Sequence, residues 1–318
     1  MNLVKTELSR FASRRFVLLM VLTLLAAFAV TVATVLSSSE RPTEEMWAQA
    51  RQQANDQRAY LAVEYDNCRS AITEKSRCED LNPDRVVTES YLYGVFHFAR
   101  EIRPLLYFLG AFLALFGFLV TASFVGAELT SGGMTNLLLW RPQRLTVLGT
   151  KLGVALGGVA AVSVVYTALY VGTFYAIAKT SGFTGNPTPA FWQEIVQLCL
   201  RCIGFALIAS GLAFAIATIG RHTAAALGAL IAYVIVWEGG ARLVAEIVSN
   251  GESGADPYFL STYVGAWFTG RYTYYAESYL SISPLHEILL WHSAAVFLAI
   301  VGGLLALAFA QFHRRDLA

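Results

Sequence analysis

The sequence predicts an all-α polytopic membrane protein. It would have six transmembrane helices, an N-terminal interfacial helix, and large outer segments between spans 1 and 2 and between spans 5 and 6. Three observations carry this. Hydrophobic residues make up 56% of the chain and charged residues 14%, against about 45–50% and about 25% in soluble domains. Apolar runs of roughly the 20 residues needed to cross a bilayer recur six times. The basic residues are distributed unevenly between alternate loops. The 318 residues would suit about two soluble domains by length, but the composition excludes a soluble enzyme. The net charge of +1 gives no reason to expect nucleic-acid binding.

Residues 16–36, 105–127, 152–178 and 288–312 contain no Lys, Arg, Asp or Glu. Residues 202–220 are slightly short and extend outward past Arg201. Residues 223–237 are too short alone, so this span continues past Glu238, to about 241, or breaks and re-enters. The whole of 1–318 is taken as one transmembrane domain. The first span has the basic start of a signal peptide, but its length and the lack of a cleavage site predict an uncleaved anchor.

An even number of spans puts both termini on one side. That side would carry Lys5, Arg10, Arg14, Arg15, Arg141, Arg144, Lys151, Arg221, Arg314 and Arg315, which is ten of the 23 basic residues. It would hold only Glu7, Glu128 and Asp316 of the 22 acidic ones. The positive-inside rule makes it cytoplasmic. Trp192, Trp237 and Trp291 then fall at outer ends and Trp140 at the inner surface, as in an aromatic belt.

Residues 1–15 place Val4, Leu8, Phe11 and Ala12 on one helical stripe, with Lys5, Arg10 and Arg14 mostly off it. This reads as an interfacial amphipathic helix rather than a disordered basic tail. The outer loop 37–103 contains a helical stretch, 43–65, with Thr43 as a candidate cap, and a turn at Asn82-Pro83-Asp84. Cys68 and Cys78 lie in this loop. An oxidising compartment favours a disulfide between them, with two free thiols as the alternative. Cys199 and Cys202 form a CxxC inside an apolar helix without the context of a redox or zinc site, and read as packing residues.

Segment 128–151 is the only sizeable inner segment. Glu128 ends the second span, Gly132-Gly133 breaks the helix, and Met134, Leu137 and Leu138 give a short apolar face stopped by Pro142. Gly149, Gly153 and Gly157 form a row of small residues suited to close helix packing. In outer segment 238–285, Glu238, Arg242 and Glu246 are spaced to form a charge ladder along one helical face. The aromatic stretch 257–279 suits either interfacial anchoring or a substrate vestibule.

Several chemistries lack their residues. No GxxxxGK[ST] loop is present, so ATP binding in the P-loop manner is not expected. His286-Glu287 lacks the second His of a zinc protease, because position 290 is Leu290. No mid-span row of acids suggests a proton relay. The chain reads as non-catalytic, with no cofactor or metal of its own.

The stretch Phe124-Val125-Gly126-Ala127-Glu128-Leu129-Thr130-Ser131-Gly132-Gly133-Met134, continuing through Leu137, Leu138, Pro142, Arg144 and Lys151, resembles the segment after the second span in membrane subunits of bacterial type-2 ATP-binding-cassette exporters. The ending Phe312-His313-Arg314-Arg315-Asp316 is similar to that family's usual terminus. The cysteine-bearing first outer loop resembles a subset of actinobacterial members. The resemblance implies a coupling helix, with Glu128, Met134, Leu137, Leu138, Trp140 and Arg144 contacting a separate cytoplasmic ATPase subunit that holds ATP and Mg. It implies a second copy of this chain, or a related permease, as a further partner. It also implies export of a substrate by alternating access across the bacterial plasma membrane. The alternative is a non-transport membrane protein, structural or sensory, whose outer loop binds a ligand.

Overall fold

The structure is a computed structural model that describes residues 3–71, 75–140, 143–248, 255–275 and 285–314. It is almost wholly helical. In chain order the helices are α1 (Leu3–Ala12), α2 (Arg15–Ser37), α3 (Glu44–Ala71), α4 (Phe98–Thr130), α5 (Gly133–Trp140), α6 (Arg144–Ser181), α7 (Pro189–Gly220) and α8 (Thr223–Ala232). A π-helical segment, Tyr233–Ala241, carries α8 into α9 (Arg242–Val248), and α10 (Leu260–Thr269) and α11 (Leu290–Arg314) follow. Four 3-10 turns (Lys75–Leu81, Pro83–Arg85, Thr88–Tyr91 and Asp256–Tyr258) and two short strand pairs complete the described elements. β1 (Phe96–His97) runs parallel to β2 (Gly182–Phe183), and β3 (Arg271–Tyr275) runs antiparallel to β4 (Leu285–Leu289).

Six helical stretches among the described residues are long and apolar enough to cross a bilayer: α2, α4, α6, α7, the continuous Thr223–Val248, and α11. The protein is thus an all-α polytopic membrane protein. The helices exceed the apolar runs because their ends carry on into polar sequence, where backbone pairing continues without cost. The fifth span does continue past Glu238, by widening into the π turn rather than by breaking. Helix α7 runs unbroken through Arg201. The Arg201 guanidinium donates to the Phe268 carbonyl at 3.1 Å, among the C-terminal carbonyls of α10, where a cation is favoured.

The chain divides into two compact units. The first comprises Met1–Ala26, Pro104–Ala168 and Gln193–Ala318. Its helices pack through small residues: Ala122, Ala213, Ala217 and Ala226 are fully buried together with Phe118. Gly126 is the tightest point. A Cβ there would lie 2.5 Å from the Thr223 backbone nitrogen, so only glycine lets α4 meet the start of α8. His222 begins α8 by accepting the Ala224 N–H on Nδ1 at 3.0 Å.

The second unit comprises Ala27–Arg103 and Leu169–Trp192. In it Ala50, Leu92 and Val95 form a small core with Trp47 and Phe183 against them. Thr43 caps α3 by accepting the Met46 N–H, and Asn82 accepts from Asp84 N to set the turn at Pro83. Cys68 and Cys78 are disulfide-bonded, tying the end of α3 to the following turn with Cα atoms 5.9 Å apart. Gly182 pairs with Phe96 so closely that a Cβ would sit 2.6 Å from the Phe96 oxygen. His97 lies edge-on to Phe183, centroids 5.1 Å apart, and its buried Nδ1 has no hydrogen-bond partner among the described residues. Burial, reinforced by the Arg100 charge, holds the His97 imidazole below its ordinary pKa.

Candidate functional site

The segment singled out by sequence, between the second and third spans, is built on one buried cluster of charges. Helix α4 ends at Thr130, and Gly132, at φ 72°, makes the left-handed turn that releases the chain into α5. Just before that turn, Glu128 accepts from Arg14 Nη2 at 2.5 Å and from Lys151 Nζ. Lys151 also donates to Glu7 Oε2 at 2.5 Å, and Glu7 accepts from Arg10 at 3.2 Å. The Lys151 and Glu7 side chains are 0% and 1% exposed. Helices α1, α4 and α6, together with Arg14 at the head of α2, therefore meet on one ion network.

The placement of each charge explains why the network must be shared. Glu128 sits in the last turn of α4, where the helix dipole disfavours an anion, and Arg14 sits at the head of α2, where it disfavours a cation. Pairing relieves both. The Phe124 ring lies between them: Arg14 Cζ is 4.9 Å and Lys151 Nζ 5.1 Å from its centroid, distances suited to cation–π attraction. Phe11 packs edge-on against the same ring at 5.2 Å.

The docking of α1 divides the stripe Val4, Leu8, Phe11 and Ala12 between buried and exposed positions. Glu7 and Phe11 are buried, while Val4 and Leu8 are exposed. The charged Glu7 goes inside because Lys151 waits there. The exposed aliphatics leave α1 with an apolar edge suited to an interface.

Helix α5 also differs in its facing. Met134 is buried, at 1% exposure, so it anchors α5 to the protein instead of presenting an outward contact. Leu137 is half-buried, and Leu139, which the sequence reading passed over, is 79% exposed. The side chains of Leu138 and Trp140, and Arg141 and Pro142 entirely, lie outside the described residues. Arg144 is half-buried at the start of α6. A cleft of about 530 Å³ separates α1 from α5, with Arg10, Ser13 and Arg14 on one wall and Gly133, Asn136 and Leu137 on the other.

Among the described residues the glycine row makes no close helix contact within this chain. A methyl group on Gly153 or Gly157 would have nothing within 4 Å, and one on Gly149 would meet only Phe309, at 4.0 Å. The glycine that matters is Gly158, whose Cβ would stand 2.5 Å from the Phe11 ring. Packing here needs one flat position for one aromatic, and the small-residue period points to a different face.

At the other end of the fifth span the expected Glu238–Arg242–Glu246 ladder is replaced by pairing across the chain. Arg242 donates to Asp256 Oδ1 at 3.3 Å and Thr262 Oγ1 at 3.4 Å, and its guanidinium covers the Phe259 ring at 4.8 Å. Glu238 accepts from Tyr233 Oη at 2.7 Å, Ser261 N at 3.0 Å and Ser261 Oγ at 2.7 Å. Glu246 is exposed. The π turn is the cause. Its i→i+5 repeat brings position 233 over 238 and takes 242 out of the four-residue register that a ladder needs. In the aromatic stretch Phe259 is buried, Tyr258 is exposed, and Tyr263, Trp267, Phe268, Tyr272 and Tyr274 are half-buried; Trp267 Nε1 donates to the Arg201 carbonyl at 2.8 Å, and Phe268 rests on Gly110. Tyr279 lies outside the described residues.

Sequence reasoning missed Glu7, Arg14, Phe124 and Lys151 as a unit. One signal was present. Only three acids fall among the ten basic residues of that side, and two of them, Glu7 and Glu128, are the ones Lys151 binds. No protein-family model matches the chain, and no curated protein matches it.

Proposed function

We propose that this chain is the membrane subunit of a bacterial exporter of the type-2 ATP-binding-cassette class, driven by a separate cytoplasmic ATPase. The observation that carries the reading is α5: a short helix hung between two long spans, held by Met134 and by the ion network at its root, with Leu139 projecting outward. Such a helix transmits force only if its base is rigid. The paired Glu128, Arg14 and Lys151 make rigid the ends of α4 and α6 that flank α5, because separating those ends would strand buried charges. Movement imposed on α5 would pass to α1, α4 and α6 together, shifting the spans between inward-open and outward-open states as nucleotide biases the partner. Both termini and segment 128–151 would face the cytoplasm of a plasma-membrane protein, with the disulfide-bonded loop 37–103 outside.

A single cysteine at Leu139, in a chain whose Cys199 and Cys202 are replaced, tests this. In membranes of the source cells it should cross-link through a short bifunctional maleimide to a polypeptide carrying a P-loop. Cross-linking to lipid-anchored or unrelated proteins alone would remove the reading.

A further inference from the structure

A second cavity lies in the first unit, away from the charge network. It has a volume of about 440 Å³ and is bounded by α4, α7, the fifth span, α10 and α11. Its walls are almost entirely apolar, with Phe118, Phe205, Leu212, Phe297 and Val301 prominent among them. The polar exceptions, Tyr233, Ser261 and Glu238, are mutually bonded where the fifth span widens into its π turn. That volume falls in the range of small-molecule sites, which combine apolar walls with a few placed polar groups. π-Helical turns recur at functional positions.

We propose that this cavity binds a lipophilic monocation, an organic ammonium or phosphonium with bulky apolar substituents. The Glu238 carboxylate would be its counter-charge. Both Glu238 oxygens already accept hydrogen bonds, so neither needs a proton to be satisfied. Among the described residues no cation forms an ion pair with it: Arg242, whose charge acts on Glu238 from farther off, pairs with Asp256. A carboxylate has about four acceptor positions, and the three bonds present leave room for one more donor or a close positive charge. A carboxylate at the edge of an apolar chamber, hydrogen-bonded but without an ion-pair partner, attracts a cation that enters the chamber. The Phe118, Phe205 and Phe297 rings add faces that attract cations more than anions. Describing this ligand as cargo rests on the exporter reading, whereas its binding does not.

The test uses purified full-length chain in phosphatidylcholine nanodiscs, without ATPase or nucleotide. Tetraphenylphosphonium and tetraphenylborate, alike in shape and opposite in charge, are measured by equilibrium dialysis against empty nanodiscs. Saturable, one-to-one binding of the phosphonium and none of the borate is expected. Glu238→Gln should weaken the phosphonium roughly tenfold or more, and Glu238→Asp should retain charge selection. Ala209→Phe, filling the chamber, should abolish binding while the Glu238 bonds stay in place. Equal binding of both ions, absence of saturable phosphonium binding to the wild type, or an unchanged affinity in a folded Glu238→Gln variant would each overturn the proposal. None of these outcomes bears on ATPase docking, so the two readings fail separately.

Discussion

Lys151 Nζ lies 2.5 Å from Glu7 Oε2, a residue 144 positions earlier in the chain, with both side chains shielded from solvent. This contact closes the first helix onto the start of the third span. With Glu128 as the second acceptor, it makes Lys151 the centre of the basic end. Removing Lys151 would take away the cation that Glu7 and Glu128 share and leave each with one arginine, Arg10 and Arg14 respectively. Lys151→Met should therefore destabilise the chain by about 3–5 kcal/mol. In Glu7→Gln/Lys151→Met the loss should be smaller than the sum of the single losses. Thermal unfolding in nanodiscs across that double-mutant cycle checks the coupling, and strict additivity would show that the two residues act independently.

Gly126 and Gly153 make a matched pair of controls. A methyl at 126 collides with the Thr223 backbone, which has no side-chain freedom to yield, and a methyl at 153 meets nothing. Gly126→Ala should cost about 1–3 kcal/mol. Gly153→Ala should be neutral or slightly stabilising, since it trades helix-interior glycine for alanine. The same unfolding assay separates them, and equal effects would place the close approach elsewhere.

The His97 environment gives a pH dependence with a defined sign. Its folded pKa is depressed below the ordinary 6.5, chiefly by burial and then by Arg100, while Glu101 and Glu89 act in the opposite direction. The unfolded chain therefore takes up the proton first as pH falls. The contribution of neutral His97 is fully present above about pH 6.5 and is lost as pH drops toward and through the folded value. His97→Phe keeps the ring against Phe183, removes the unpartnered Nδ1, and should narrow the difference in thermal midpoint between pH 7.5 and 5.5. A wild-type midpoint that does not fall on acidification would contradict this assignment.

The Cys68–Cys78 bond spans a separation of ten residues, so its loop is short and its stabilisation should be a few kcal/mol at most. Because it fastens the end of α3 and not a membrane span, Cys68→Ser/Cys78→Ser should speed proteolysis of the second unit. The six spans should still insert. Limited trypsin digestion of sealed vesicles reads both effects, and unchanged cleavage would mean that α3 is held by its apolar contacts alone.

Four of the six spans were legible as uninterrupted apolar runs, a local property of the chain, and the other two by extending a shorter run past Arg201 and past Glu238. Thr43 as a cap, the Asn82 turn and the Gly132 break were legible for the same reason. Pairing between distant positions was not. Glu7 reads locally as a polar residue on a basic helix, and only Lys151, on another span, turns that face inward. The Glu238–Arg242 spacing predicted a ladder on the assumption of α-helical register, and the π turn removed the assumption. At α5 the apolar period was visible, but which of Met134 and Leu139 would be buried depended on how the helix docked on the rest of the chain.

Association with an ATPase is the central claim, and one measurement bears on it most directly. The tagged chain and its Leu137→Asp/Leu139→Asp variant are purified from membranes of the source cells, and bound P-loop polypeptides are quantified by mass spectrometry. Thermal midpoints confirm that both are folded. The account predicts a stoichiometric P-loop ATPase with the wild type and its loss, by about tenfold or more, from the variant, since a few apolar anchors dominate such interfaces. A folded wild-type chain that carries no P-loop ATPase, or a variant that retains it in full, would contradict the account.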